Sequence, residues 1–159
     1  MVEQLTLQTL IMFIQAAGIL VAAIYHIMTL RNQSKSRQIQ ILNAVNSREL
    51  NWDFSLWEFS DYEDFMSRYG PDSNPEGWKD VMDWFNRLES FGVYVREGLL
   101  DIRLVCLMSG GTIKNTWERY HDIFREFRLR NNLPRYFIEA EYLYEKVVNY
   151  LVKHPELGI

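Results

Sequence analysis

One cysteine, Cys106, stands in a chain of 159 residues, so no intramolecular disulfide can form. Such a chain suits the reducing side of a membrane. Histidine is nearly as scarce: His26, His121 and His154 are scattered and, with a single thiol, make no metal-ligand cluster. That argues against a structural zinc or iron–sulfur centre. The pair Gly110-Gly111 lacks the flanking glycines and the Gly-Lys-Ser/Thr ending of a phosphate loop, and reads as a break between helices. No serine or cysteine nucleophile stands in a recognisable motif. No run alternates at period two, so no sheet is expected. No internal repeat or low-complexity tract is present.

Negative charge is nearly missing from the first third of the chain. Between Gln4 and Ser47 there is no acidic residue, while Arg31, Lys35 and Arg37 fall within seven positions. From Arg48 onward there are twenty acidic and fourteen basic residues. The net charge of −4 therefore hides a basic collar followed by an acidic remainder. Nucleic-acid binding would want a basic domain, so no nucleic-acid partner is expected.

Apolar residues are plentiful, at 48%, and aromatics at 14% cluster between Trp52 and Tyr150, which implies a packed domain there. The first 30 residues have another character. Gln4 to Leu30 is a run of 27 residues without formal charge if His26 is neutral. About 20 such residues cross a ~30 Å hydrocarbon core. Positive charge follows the run rather than preceding it, which favours a retained anchor over a secretory leader. Arg31, Lys35 and Arg37 then place the N-terminus outside and the rest of the chain in the cytoplasm, as a single-pass cell-membrane protein.

The run also carries a stripe. Gln8, Gln15, Ala22 and Thr29 recur every seven residues, with Gly18 and Tyr25 at the companion positions. In lipid, small residues permit close helix approach and amides hydrogen-bond across helices, for about 0.6–2 kcal/mol each. The stripe is expected to pack on partner helices or on copies of itself.

No proline or glycine breaks the chain from Thr29 to Ser47, so one helix is expected from the membrane to about Leu50. Residues Asn51 to Tyr69 suggest one or two short helices ended by Gly70-Pro71, and "GPDSNPEG" reads as a loop. A helix is expected from Trp78 to Val95 with Val81, Met82, Phe85, Leu88, Gly92 and Val95 on one face. Asp101 should cap a short helix to Met108, and Thr112 the next one, which carries Ile113, Trp117, Tyr120, Phe124 and Phe127. The last helix should carry Phe137, Ala140, Tyr144, Val147 and Leu151 and stop before Pro155. The expected fold is all-α: a transmembrane anchor over residues 1–30, a helical stalk over 31–50 and a cytosolic helical bundle over 51–159.

Few residues invite chemistry. Asp61, Glu63 and Asp64 lack the alternating ligands and glycine of a calcium loop and read as a solvated helix start. His121 has Glu118 and Asp122 beside it but no nucleophile. Cys106 sits in an apolar run, "LVCLM", where thiols are inert. Arg125 and Arg128, with Arg135, could form an anion or partner-docking site, against the plainer reading of a charged solvent face.

The junction at Leu30 to Asn32, the segment "LESFGVYVREGLLD" at Leu88 to Asp101 and the closing "HPEL" at His154 to Leu157 carry a likeness. The chain resembles a family of single-span proteins frequent in archaea and known only as a domain of unknown function. The resemblance implies an all-helical cytoplasmic domain and an archaeal source, and no activity. Together these readings predict a non-enzymatic accessory or regulatory subunit of a larger membrane complex, without cofactor or metal. Its partners would be integral membrane subunits and lipid, with Arg31, Lys35 and Arg37 at the cytosolic interface. In an archaeon, an energy-metabolism complex such as a membrane methyltransferase is one such partner. The alternative is a self-oligomerising membrane effector whose bundle binds a small anionic signal.

Overall fold

A computed structural model describes residues 2–46 and 57–157, with side chains of the first stretch described over 8–43. The described chain is all-α and falls into two units, 1–44 and 45–159. The first unit holds α1, Val2–Asn46, which continues two residues past the unit boundary without interruption. The expected end of this helix near Leu50 lies outside the described residues.

The second unit contains α2 (Tyr62–Tyr69), α3 (Pro75–Arg96), α4 (Ile102–Arg130), α5 (Ile138–Lys153) and a closing 3-10 turn, Pro155–Leu157. Three helices begin on an Asx cap, as orphan first-turn amides require. Asp61 accepts from the Asp64 amide at 2.9 Å, Asn74 from Gly77 at 3.0 Å and Asp101 from Arg103 at 2.8 Å. The acidic cluster at Asp61 is thus a helix start. The helix expected from Trp78 begins three residues earlier, because Asn74 caps it and Pro75 fills the first turn, where a missing amide costs nothing.

Two aromatic clusters fill the bundle. Phe85 lies 4.1 Å from Phe124 between ring centroids and 5.6 Å from Phe137, with Trp117 at 6.0 Å. Phe65 gathers Trp57, Phe59, Tyr69 and Trp78. Tyr120, fully buried, joins the two, 5.8 Å from Phe65 and 5.8 Å from Phe85. Of these rings Phe65, Phe85, Trp117, Tyr120, Phe124 and Phe137 are buried, and each contributes on the order of a few kcal/mol of transfer free energy.

Two expectations fail. The chain does not break at Ser109-Gly110-Gly111: α4 runs through it unbroken, and Thr112 is an interior residue rather than a cap. Gly110 is buried, with Leu151 of α5 in ordinary contact distance of where a Cβ would stand. Packing along the rest of α4 outweighs the ~1 kcal/mol that a helical glycine costs. Phe137 is the second. It stands before α5 rather than in it, in the left-handed region at φ 55°, with its ring in the core.

Close approach explains the joint between α3 and α5. A Cβ on Gly92 would lie 2.0 Å from the Glu139 carbonyl oxygen, so only glycine admits the start of α5 here.

Candidate functional site

The residues singled out from sequence divide between the two units. In α1, Gln8, Gln15, Gly18, Ala22 and Tyr25 are exposed, and Thr29 is half-exposed. Gly18 has no neighbour within 4 Å of its would-be Cβ. Thr29 satisfies itself, its hydroxyl donating to the Tyr25 carbonyl at 2.9 Å. Gln8 and Gln15 have no hydrogen-bond partner among the described residues. Arg31, Lys35 and Arg37 are exposed and join no ion pair among them either.

From Gln8 to Asn43, 36 residues, α1 contains a window long and apolar enough to cross a membrane, and none of that window is buried. Phe13 is 71% exposed and Leu20 64%. Leaving a contiguous face of this kind in water is unfavourable by roughly 25 cal/mol per Å², a cost that an apolar surrounding would relieve.

The three bundle arginines singled out from sequence have different environments. Arg125 and Arg135 are exposed. Arg128 is only 13% exposed and spends its donors on the turn between α4 and α5. Its Nε donates to the Tyr136 carbonyl at 2.6 Å, one terminal nitrogen to the Phe137 carbonyl at 3.0 Å and the other to Glu141 at 2.6 Å. This arginine holds the left-handed turn in place; its charge is already matched.

A cleft of about 590 Å³ opens between the segment before α2 and the second half of α4, which sequence reading did not anticipate. Four carboxylates, Asp61, Glu63, Asp122 and Glu126, line it with Arg119 and Arg130. Arg130 pairs with Glu63 and, at 2.7 Å, with Glu126, and lies 4.5 Å from the Tyr62 ring centroid. Arg119 donates to the Trp57 carbonyl. The arginines thus tie α2 and its approach to α4, and the surplus of carboxylates disfavours an anion. The signal was scattered over more than 60 positions of sequence, which is why spacing could not reveal it.

Neither reactive group stands poised. His121 Nδ1 is 3.0 Å from the Glu118 carbonyl and Nε2 3.2 Å from Asp122. Cys106 is buried, and desolvation, with Asp101 adding to it, pushes its thiol up to about 11, so it is protonated at neutral pH. Among the described residues no group of three or more His, Cys, Asp or Glu could hold a metal ion.

No curated protein and no solved structure matches the chain. One family does, a domain of unknown function (DUF4760), over residues 12–147, from inside the apolar helix to inside α5. The apolar helix and the helical bundle are therefore parts of one family pattern, and the chain belongs to the DUF4760 family.

Proposed function

We infer that this protein is a non-enzymatic accessory or regulatory subunit of a larger membrane complex. In this reading α1 crosses the bilayer once, the N-terminus lies outside and the acidic bundle lies on the cytoplasmic side. The span meets another transmembrane helix, and the bundle meets the soluble part of a partner. One observation carries the reading: an apolar helix with no part of its membrane-length window covered, and with the unpartnered amide of Gln15 inside that window. Lipid would satisfy the apolar side chains, whereas an unpaired amide in hydrocarbon costs about 4–8 kcal/mol and calls for a helix that can hydrogen-bond it. Positive charge at Arg31, Lys35 and Arg37 supports the direction of insertion. In an archaeon, a complex of energy metabolism is one partner of this kind.

The test is affinity purification of the tagged full chain from its native membranes, with identification of what accompanies it. A membrane protein recovered in fixed proportion to the chain is the expected result. Recovery of the chain in the soluble fraction, or from membranes with no companion, would count against the reading.

A further inference from the structure

Read at alternating steps of three and four from Gln8 to Asn43, α1 spells Q-I-Q-G-A-Y-T-N-S-I-N. No charged residue stands on this seam. In the apolar half Leu10, Phe13, Ile14, Ile19, Leu20 and Ile24 fall off it, while Ile11 and Tyr25 are the bulky side chains on it. The seam does not stop where the apolar residues stop. Asn32, Ser36, Ile39 and Asn43 carry it on, and Ile39 is 56% exposed there.

A repeat of 3.5 residues keeps to one side only in helices wound left-handed about each other. A straight helix drifts by ~20° per heptad, or about 100° over this length, which would carry the seam a quarter-turn away. The register therefore suits a helix with a companion along the seam from Gln8 to Asn43, about 50 Å, although Leu42 beside it is already buried within this chain.

Hydrogen bonding and charge say which companion. An amide donates and accepts, so it complements another amide at the same height. Two parallel copies bring Gln8, Gln15, Asn32 and Asn43 each to its own counterpart. Gln8 and Gln15 lack partners among the described residues, whereas Thr29 is already satisfied within its helix. Arg31, Lys35 and Arg37 all lie off the seam. Lys35, the one cation beside it, would face Gln40 of the other copy, so a parallel pair meets no like charge. A foreign helix would have to match four amides in this register, while a second copy does so by construction.

We propose that α1 pairs in parallel with α1 of a second copy of this chain through the seam from Gln8 to Asn43. The protein then enters its membrane complex as a dimer. The inference rests on the membrane reading above and names the helix that meets the span.

Oxidative cross-linking of the full chain in membrane vesicles tests it, comparing Ser36→Cys on the seam with Ser34→Cys on the opposite face. The expected product is a covalent dimer of twice the chain mass, formed at least about tenfold faster from Ser36→Cys. Adding Gln15→Leu to Ser36→Cys should lower its yield about tenfold. Equal rates from the two positions, an adduct of another mass, or no adduct from Ser36→Cys overturns the pair. Alkaline carbonate extraction of the same samples keeps the readings apart. A chain released from the vesicles defeats the membrane reading, whereas a retained chain without the Ser36→Cys dimer defeats the pair alone.

Discussion

Glu89 Oε2 accepts a hydrogen bond from the Ala140 amide at 2.8 Å, so α3 supplies the cap that α5 lacks. Phe137, at the cap position, has no side-chain acceptor. The Ala140 amide, in the first turn of α5, would otherwise be unmatched. Glu89→Ala should cost about 0.5–2 kcal/mol, and Glu89→Gln, which keeps an acceptor, less.

The same pair carries a pH dependence. Burial pushes the Glu89 carboxyl above the usual glutamate range, against the pull of the Ala140 and Glu139 amides. A raised acid favours the folded state below its unfolded value, and that contribution is lost as pH rises through the raised value. Relative to the parent, Glu89→Gln should therefore gain stability as pH climbs out of the usual glutamate range, and then level off. Tryptophan fluorescence in urea is suited to the measurement, because all five tryptophans lie at position 52 or beyond and report on the bundle.

Two buried glycines should respond in opposite senses to alanine. At Gly92 a methyl would strike the Glu139 backbone, and the clash should cost about 1–3 kcal/mol or more. At Gly110 the nearest side-chain atoms, on Cys106 and Leu151, stand at 3.6 Å, and α4 should gain up to ~1 kcal/mol. Urea midpoints moving the same way in both variants would contradict this account of the joint.

Arg128→Ala should destabilise the bundle by about 2–4 kcal/mol, since it strands Glu141 and two carbonyls. Arg125→Ala and Arg135→Ala, at exposed positions, should stay within about 0.5 kcal/mol of the parent. Inorganic phosphate should leave the melting temperature unchanged. A phosphate-dependent rise that vanishes in the Arg125→Ala variant would restore the anion-signal reading.

Insertion should follow positive charge. Replacing Arg31, Lys35 and Arg37 with asparagine and placing three lysines before Gln4 should invert the chain. Protease protection of the bundle in sealed vesicles reads the outcome. A bundle that keeps its side of the membrane after this exchange shows that something other than the collar sets direction.

Helices whose apolar residues repeat at 3.6 could be read from sequence, and α3 and the later part of α4 show it. Val81, Phe85 and Leu88, then Ile113, Trp117, Tyr120 and Phe124, are all buried as their spacing required. Gly110-Gly111 misled because glycine is a local signal, and the contact that outweighs it, Leu151, stands 41 positions away in sequence. The start of α3 was legible and was missed: Asn74-Pro75 is a capping residue followed by the one residue suited to a first turn. The Glu89 cap and the clamp of Arg128 were not legible, since nothing local distinguishes these side chains from solvated ones. In the candidate site the seam of α1 was visible as a period, whereas the cleft near Arg130 exists only once distant segments meet.

The unbroken course of α1 has a mechanical consequence. Its 45 residues form one rod of about 68 Å, with neither proline nor an interruption where the apolar residues give way to polar ones. Such a rod resists twisting along its length. A rotation imposed at Gly18 by neighbouring helices arrives at Asn46 as a rotation of similar size, and an axial shift arrives as an equal shift. If the helix crosses a membrane as proposed, it would carry such motions from one end to the other as a shaft does.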